Sequence, residues 1–144
     1  MSFKIGSWNV RGFNDPQKQK NVKSFLKNEG IRFFGLLETK VKSDKYNAIF
    51  GKIFEGWDNC SNHQWSPLGR ICIFWDPEFC KVNPISSSDQ YVFCEVQLLD
   101  INKTIFVNFI YVDNRYLLRR RLWEVREGFE VNWKRKSGFK GAVR

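Results

Sequence analysis

Two periods alternate along the chain, and the places where one gives way to the other mark its elements. Phe3 to Val10 is short, aromatic and partly β-branched, which predicts a first strand. Gly12-Phe-Asn-Asp-Pro16 is turn chemistry, and Asp15 before Pro16 predicts a helix cap with proline in the first turn. Val22, Phe25 and Leu26 then recur at helical spacing with lysines on the other face, and Gly30 suits the end of that helix. Ile31 to Leu37 is apolar apart from Arg32 and Gly35, as expected of a strand buried on both faces in a sheet covered by helices. The chain therefore opens strand, helix, strand.

Ser43 is placed to cap a second helix carrying Tyr46, Ile49, Phe50 and Ile53, ending near Gly56. From Trp57 the pattern turns to strands. Ile71-Cys-Ile-Phe-Trp75 is one, stopped by Asp76-Pro77, and Val82 to Ile85 is a weak one. Tyr91 to Leu98 alternates, Asp100-Ile-Asn-Lys supplies a turn, and Thr104 to Val112 returns as an antiparallel partner. Residues 116–131 read as a basic amphipathic helix, with Leu118, Leu122, Val125 and Phe129 on one face. Residues 134–144 hold five basic residues and no acid, and are expected to be disordered. The fold class is α/β with a mostly antiparallel second part. It contains neither a Gly-rich dinucleotide turn nor a Lys-Ser/Thr phosphate loop, which argues against a dinucleotide cofactor.

Composition narrows the class. With 144 residues, 42% hydrophobic and 17% aromatic, the chain is long and apolar enough to bury a core. No apolar run approaches the roughly 20 residues of a membrane span, and Met1-Ser-Phe-Lys-Ile5 lacks the pattern of a secretion signal, so an intracellular protein with no membrane partner is expected. The net charge of +9 favours a polyanionic partner. That charge is uneven. Residues 1–114 carry 14 basic and 12 acidic side chains, whereas residues 115–144 carry 10 and 3.

The four cysteines, Cys60, Cys72, Cys80 and Cys94, have no two-residue spacing, and His63 is the single histidine, so a zinc site is not expected. Polar residues that end apolar strands are better candidates for chemistry. Asn9 follows Trp8, Glu38 closes Phe33-Phe-Gly-Leu-Leu37, and Tyr111 and Asn114 close the last long strand. In open α/β sheets ligands bind at strand ends. A carboxylate there suits a hard cation such as Mg²⁺, which leaves room for phosphate oxygens, and a phenol can donate to a phosphate as charge develops. Together these point to metal-assisted phosphodiester hydrolysis. Each residue also has a plain structural reading: Glu38 as the first exposed residue after a strand, Asn9 as a turn residue, Tyr111 as a half-buried strand tyrosine.

Four segments in order, Ser7-Trp-Asn-Val-Arg-Gly12, Leu36-Leu-Glu-Thr-Lys40, Gly69-Arg-Ile-Cys-Ile-Phe-Trp-Asp76 and Ile110-Tyr-Val-Asp-Asn114, resemble the endonuclease/exonuclease/phosphatase superfamily. Asn14-Asp-Pro-Gln-Lys-Gln19 and Arg119-Arg-Arg-Leu-Trp123 narrow the resemblance to the endonuclease domain of plant non-LTR (LINE-type) retrotransposons. The similarity covers residues 3–133, with 134–144 as an unrelated basic tail. It implies a four-layer α/β sandwich with two facing sheets and the active site at their shared edge. It implies Glu38 as ligand of Mg²⁺ or Mn²⁺, with Asn9, Tyr111 and Asn114 at the phosphate. It gives no catalytic role to Arg70. The implied partner is DNA, and the implied location the nucleus ahead of the cytoplasm.

The family pattern continues with Gly-Asp-Phe-Asn and Ser-Asp-His motifs, which supply the residues acting on the attacking water. Neither occurs in these residues, and His63 is in the wrong place to substitute. The expectation is therefore the first half of the sandwich: one mixed, mostly antiparallel sheet with its helices, the second sheet missing. An uncovered sheet face could then support self-association. The function expected is a truncated, inactive or weakly active relative of a divalent-metal-dependent DNA endonuclease, since a general base contributes a factor of ~10²–10⁴. The competing reading is a non-catalytic basic module that holds nucleic acid through Arg115, Arg119, Arg120, Arg121, Lys134, Arg135 and Lys136.

Overall fold

The computed structural model describes residues 2–111, 120–126 and 130–133, the last two segments as backbone only. Strand β1 (Ser2–Asn9) is followed by helix α1 (Pro16–Glu29) and strand β2 (Phe33–Leu37). A 3-10 turn, Ser43–Lys45, leads into helix α2 (Tyr46–Ile53). The strands β3 (Asp58–Ser61), β4 (Ile71–Trp75), β5 (Cys80–Ser87), β6 (Tyr91–Leu98) and β7 (Lys103–Ile110) come next. Two further strands are β8 (Arg120–Arg126) and β9 (Glu130–Trp133).

The expected opening unit is present. The Asp15 side chain accepts from the Gln17 backbone N–H, and Gly30 closes α1 with φ 64°, a left-handed conformation that a Cβ would disfavour. The crossover brings β2 beside β1 in parallel register, Ile5 opposite Phe33 and Asn9 opposite Leu37. β4 adds antiparallel to β2, and β3 to β4, giving a six-stranded sheet of order β3-β4-β2-β1-β8-β9.

The other three strands form a separate antiparallel sheet of order β5-β6-β7. Pro84 lies on its edge strand, where a missing N–H is tolerated, and the register shifts just after it. The α/β sandwich class stands, and the second layer is present in part, as three strands. It faces the larger sheet through Ile5, Phe33, Ile71, Ile73, Val92, Val96, Val107 and Phe109. The approach is close: a Cβ on Gly35 would run into the Phe109 ring. The other face of the larger sheet, including Phe34, Leu36, Cys72 and Phe74, packs on Val22 and Leu26 of α1 and on Phe50 of α2.

β4 therefore has both faces covered, contrary to the expectation that one would be bare. Ile71, Ile73 and Trp75 meet the small sheet, while Cys72 and Phe74 meet the helices. The bare face lies on the outside of the small sheet instead, where Ile85, Phe106 and Ile110 are about half exposed. Among the described residues no helix is long and apolar enough to cross a membrane.

The helix expected over residues 116–131 is corrected where those residues are described. Residues 120–126 are a strand running antiparallel to β1, Trp8 opposite Arg120 and Ser2 opposite Arg126. β1 otherwise leaves a row of backbone N–H and C=O groups open on that side, and pairing satisfies them. Leu122, Trp123 and Val125 suit a strand as well as a helix, and tertiary pairing decides between the two. Of the expected nucleic-acid contacts, Arg120 and Arg121 thus belong to a strand. Arg115, Arg119, Lys134, Arg135 and Lys136, together with Asn114 and the whole tail 134–144, lie outside the described residues.

Candidate active site

The ends of β1 and β2 carry the first two candidates, and backbone pairing continues past both strands. The Val10 N–H donates to the Leu37 carbonyl at 3.0 Å, Gly12 to Glu38 at 2.7 Å and Phe13 to Thr39 at 2.7 Å. On its other side Glu38 donates its own N–H to the Arg70 carbonyl at 2.6 Å, and Thr39 donates to Gly69 at 3.2 Å. Glu38 is thus clamped between the segment after β1 and the segment before β4. It sits at φ 56°, a left-handed conformation that costs a non-glycine residue about 1 kcal/mol or more. Its side chain is half-buried, and the ion pairs found among the described residues do not include it.

Asn9 is buried, and its Oδ1 accepts from the Arg11 N–H at 3.2 Å. The turn it shapes is held from outside by Lys18, whose ammonium donates to the carbonyls of Val10 at 2.9 Å, Arg11 at 3.2 Å and Gly12 at 3.3 Å. Gln19 Nε2 donates to Phe13 O at 2.9 Å, and Asn14 Nδ2 to Lys40 O at 3.0 Å. The Asn14–Gln19 segment is the clamp on this loop.

Behind Glu38 lies a second brace. The Thr39 hydroxyl donates to the Gly69 carbonyl and also receives the Val41 N–H. His63 has both ring nitrogens engaged, Nε2 with Val41 O and Nδ1 with Ser61 Oγ, each at 2.7 Å. Gly69, at φ 61°, packs so tightly on that ring that a Cβ would come within 2.6 Å of Nε2. His63 is therefore held as a brace under the Glu38 turn. The neighbouring Cys72 thiol is pushed up to about 12 by burial.

Tyr111 reaches the same edge from the small sheet. It is buried, and its N–H donates to Gln90 O at 2.8 Å. Arg70 joins the two sheets there: its guanidinium carbon lies 5.2 Å from the centre of the Tyr111 ring, and its Nη1 is 3.5 Å from Asp89 Oδ2. The fully buried Asn62 sets this corner. Its Oδ1 accepts from the Ile71 N–H at 2.9 Å, and its Nδ2 donates to Ser88 O at 3.2 Å and Asp89 O at 3.3 Å. The structure thus gathers Asn9, Glu38 and Tyr111 at one edge, with Arg70 and Asn62 as participants that pattern reading did not assign. Arg70 stands in the Gly69–Asp76 segment of the resemblance without a role, and Asn62 reads as one more polar loop residue.

No protein-family model and no curated protein matches the sequence. Solved structures do. The chain superimposes on an endonuclease/exonuclease/phosphatase family protein from Bacteroides thetaiotaomicron with a TM-score of 0.58, at 12% identity, over 75% of this chain and 48% of that one. The catalytic domain of human Nocturnin, with a bound sulfate anion, gives 0.59 at 10% identity, over 80% of this chain and 52% of that one. ANGEL2, a 2',3'-cyclic phosphatase, gives 0.55 at 14% identity, over 78% and 41%.

The fold is that of the endonuclease/exonuclease/phosphatase family. The chain spans about half the length of the family structures it matches. Among the described residues no group of three or more His, Cys, Asp or Glu could by itself hold a metal ion.

Proposed function

We propose that the chain carries half of a divalent-metal-dependent phosphodiester-hydrolysing site, of the DNA endonuclease type found in LINE-like retrotransposons. The observation that carries the reading is Glu38: a half-buried carboxylate in a left-handed backbone conformation at the end of a buried strand, beside Asn9 and across from Arg70. Mg²⁺ or Mn²⁺ fits such a donor set in a limited way, because these ions accept one carboxylate and keep their waters and phosphate oxygens for the rest. Glu38 would hold the ion, which when bound supplies charge for a phosphate oxygen in the transition state. Asn9 orients the phosphate from the β1 side, and Tyr111 stands at the edge from the small sheet. That Nocturnin binds a sulfate anion and ANGEL2 is a cyclic phosphatase supports an anionic phosphate ester as substrate class.

Among the described residues nothing takes the place of a general base: His63 is fully engaged and Gly-Asp-Phe-Asn and Ser-Asp-His are absent from the sequence. On its own the chain is therefore inactive or weakly active. Mn²⁺ binding followed by electron paramagnetic resonance tests the half-site directly. Replacing an outer group around a metal already weakens binding ~10–100-fold, so Glu38→Ala is expected to weaken it at least that much, and any Mg²⁺-dependent plasmid nicking should vanish with it. Equal Mn²⁺ binding by both proteins refutes the assignment. The reading as a non-catalytic basic module rests on the 10 basic against 3 acidic side chains of residues 115–144. It predicts DNA binding that is indifferent to Glu38→Ala.

A further inference from the structure

We propose that Arg70 is the phosphate-gripping side chain of this site, and that Asp89 is the internal anion it releases when a nucleic-acid phosphate arrives. The inference rests on the phosphodiester reading and adds to it the residue that holds the substrate backbone.

Place is the first argument. The Arg70 carbonyl takes the Glu38 N–H, and the β2–β4 register, Leu37 opposite Ile71, puts Arg70 directly across from Glu38. Its guanidinium also lies over Tyr111. Arg70 thus touches two of the groups separately assigned to the site, Glu38 through its backbone carbonyl and Tyr111 through its guanidinium.

Chemistry is the second. A guanidinium offers its donors in a flat fork that matches two phosphate oxygens, and stacking on an aromatic ring holds that fork in one plane. The Arg70–Asp89 contact is a single one at 3.5 Å, with the two side chains 42% and 57% exposed. An ion pair in that setting is solvent-screened and holds only weakly. A phosphodiester can therefore displace it with little loss. The Asp89 turn does not depend on the pair, because Asn62 holds the Ser88 and Asp89 carbonyls and Ser88 Oγ accepts the Gln90 N–H at 3.0 Å.

The fold supplies its own control. Arg32, at the other end of β2, has the same kinds of neighbour: Asp76 at 3.3 Å and the Phe79 ring with its centre 4.4 Å away. Asp76 is only 14% exposed, so that pair is set into the surface. If an arginine between an aspartate and an aromatic ring were merely a device for finishing a strand, the two would behave alike.

The test measures affinity of the full chain for a fluorescently labelled DNA duplex by anisotropy, in EDTA, so that no metal and no turnover enters. Arg70→Gln is expected to weaken binding roughly ten-fold and to lower the salt slope by about 1, the value for one lost phosphate contact. Arg70→Lys should recover part of it. Asp89→Asn is expected to tighten binding a few-fold, a result no structural role for the pair would give. Arg32→Gln should stay within about two-fold. No binding by the unaltered chain, equal effects of Arg70→Gln and Arg32→Gln, or weaker binding by Asp89→Asn each overturns the proposal. Asp89→Asn keeps it decidable should Arg70→Gln melt early. Failure of Glu38 to bind Mn²⁺ leaves this result untouched, so the two readings fail separately.

Discussion

Removing one buried amide should loosen the candidate site from behind without touching it. Asn62 is fully buried and makes three side-chain hydrogen bonds. Its Oδ1 takes the Ile71 N–H where β4 begins, while its own N–H pairs with the Ile71 carbonyl at 3.0 Å. The side chain thereby extends the β3–β4 ladder by one rung and crosses to the turn between β5 and β6. In Asn62→Ala the Ile71 N–H stays buried with no acceptor, which costs roughly 1–3 kcal/mol. The two carbonyls on the turn can find water, so each contributes the smaller net value of about 0.5–1.5 kcal/mol. The expected total is ~2–6 kcal/mol, a large part of the roughly 5–15 kcal/mol that holds a domain together.

Asn62→Asp divides that total. It keeps the acceptor for Ile71 but turns an oxygen toward the Ser88 and Asp89 carbonyls, so the turn should open while the β4 start survives. Urea unfolding read by tryptophan fluorescence gives the energies, and hydrogen exchange locates them. Faster exchange is expected at Ile71 and residues 88–91 in Asn62→Ala, and at residues 88–91 alone in Asn62→Asp. A loss below about 0.5 kcal/mol for Asn62→Ala, or exchange spread evenly over the small sheet, refutes the reasoning, because the pin would then carry nothing.

Two other expectations follow from the same geometry. Lys18→Met removes an ammonium from three carbonyls; charge-assisted bonds of this kind contribute about 1.5–3 kcal/mol. The Asn9–Gly12 loop should then exchange faster and Mn²⁺ binding weaken, while Lys18→Arg recovers part of both; unchanged loop exchange in Lys18→Met removes the clamp from the account. The cysteines should react in a fixed order at pH 8. A hydrogen bond with Cys94 holds the Cys60 thiol below its usual range and pushes Cys94 above it, while burial pushes Cys72 and Cys80 up to about 12. A depressed value means more thiolate at a given pH, so iodoacetamide should label Cys60 first, as peptide mass spectrometry would show. Early labelling of Cys72 would contradict the packing.

How far the residues announced this structure depended on whether the deciding forces were local. The β1-α1-β2 unit was legible because its signals sit within the segment: Asp15 before Pro16, the Val22 and Leu26 spacing, Gly30 at the end. The edge carrying Asn9, Glu38 and Tyr111 was legible for the same reason, since polar residues ending apolar runs mark where strands stop. Residues 120–126 were misread because a helix-compatible pattern met an open strand edge about a hundred positions away. The cover on β4 was missed for a related reason: nothing in Ile71–Trp75 says that β6 and β7 fold back over it. Asn62 drew no reading and Arg70 no role because their importance lies in partners distant in sequence, which no periodicity records.

The distribution of backbone strain separates the two ends of the central strands. Of the four non-glycine residues with positive φ among the described residues, Arg11, Glu38 and Lys40 all lie in the two segments that follow β1 and β2. The fourth, Asn102, sits in the β6–β7 turn, where asparagine tolerates the left-handed region. At the opposite end of β2, Arg32, Asp76 and Phe79 make comparable contacts with no such residue among them. A turn chosen only to connect strands would place glycine or asparagine at a left-handed position, at little or no cost. An arginine, a glutamate and a lysine there cost about 1 kcal/mol or more each. Lys18, Thr39 and His63 hold that conformation in place. Strain concentrated on charged residues and braced from three sides is what a binding site produces, since the side chain is kept for something its backbone conformation does not favour. That asymmetry gives a reason, independent of any resemblance, to place the chemistry at the Glu38 end rather than the Arg32 end.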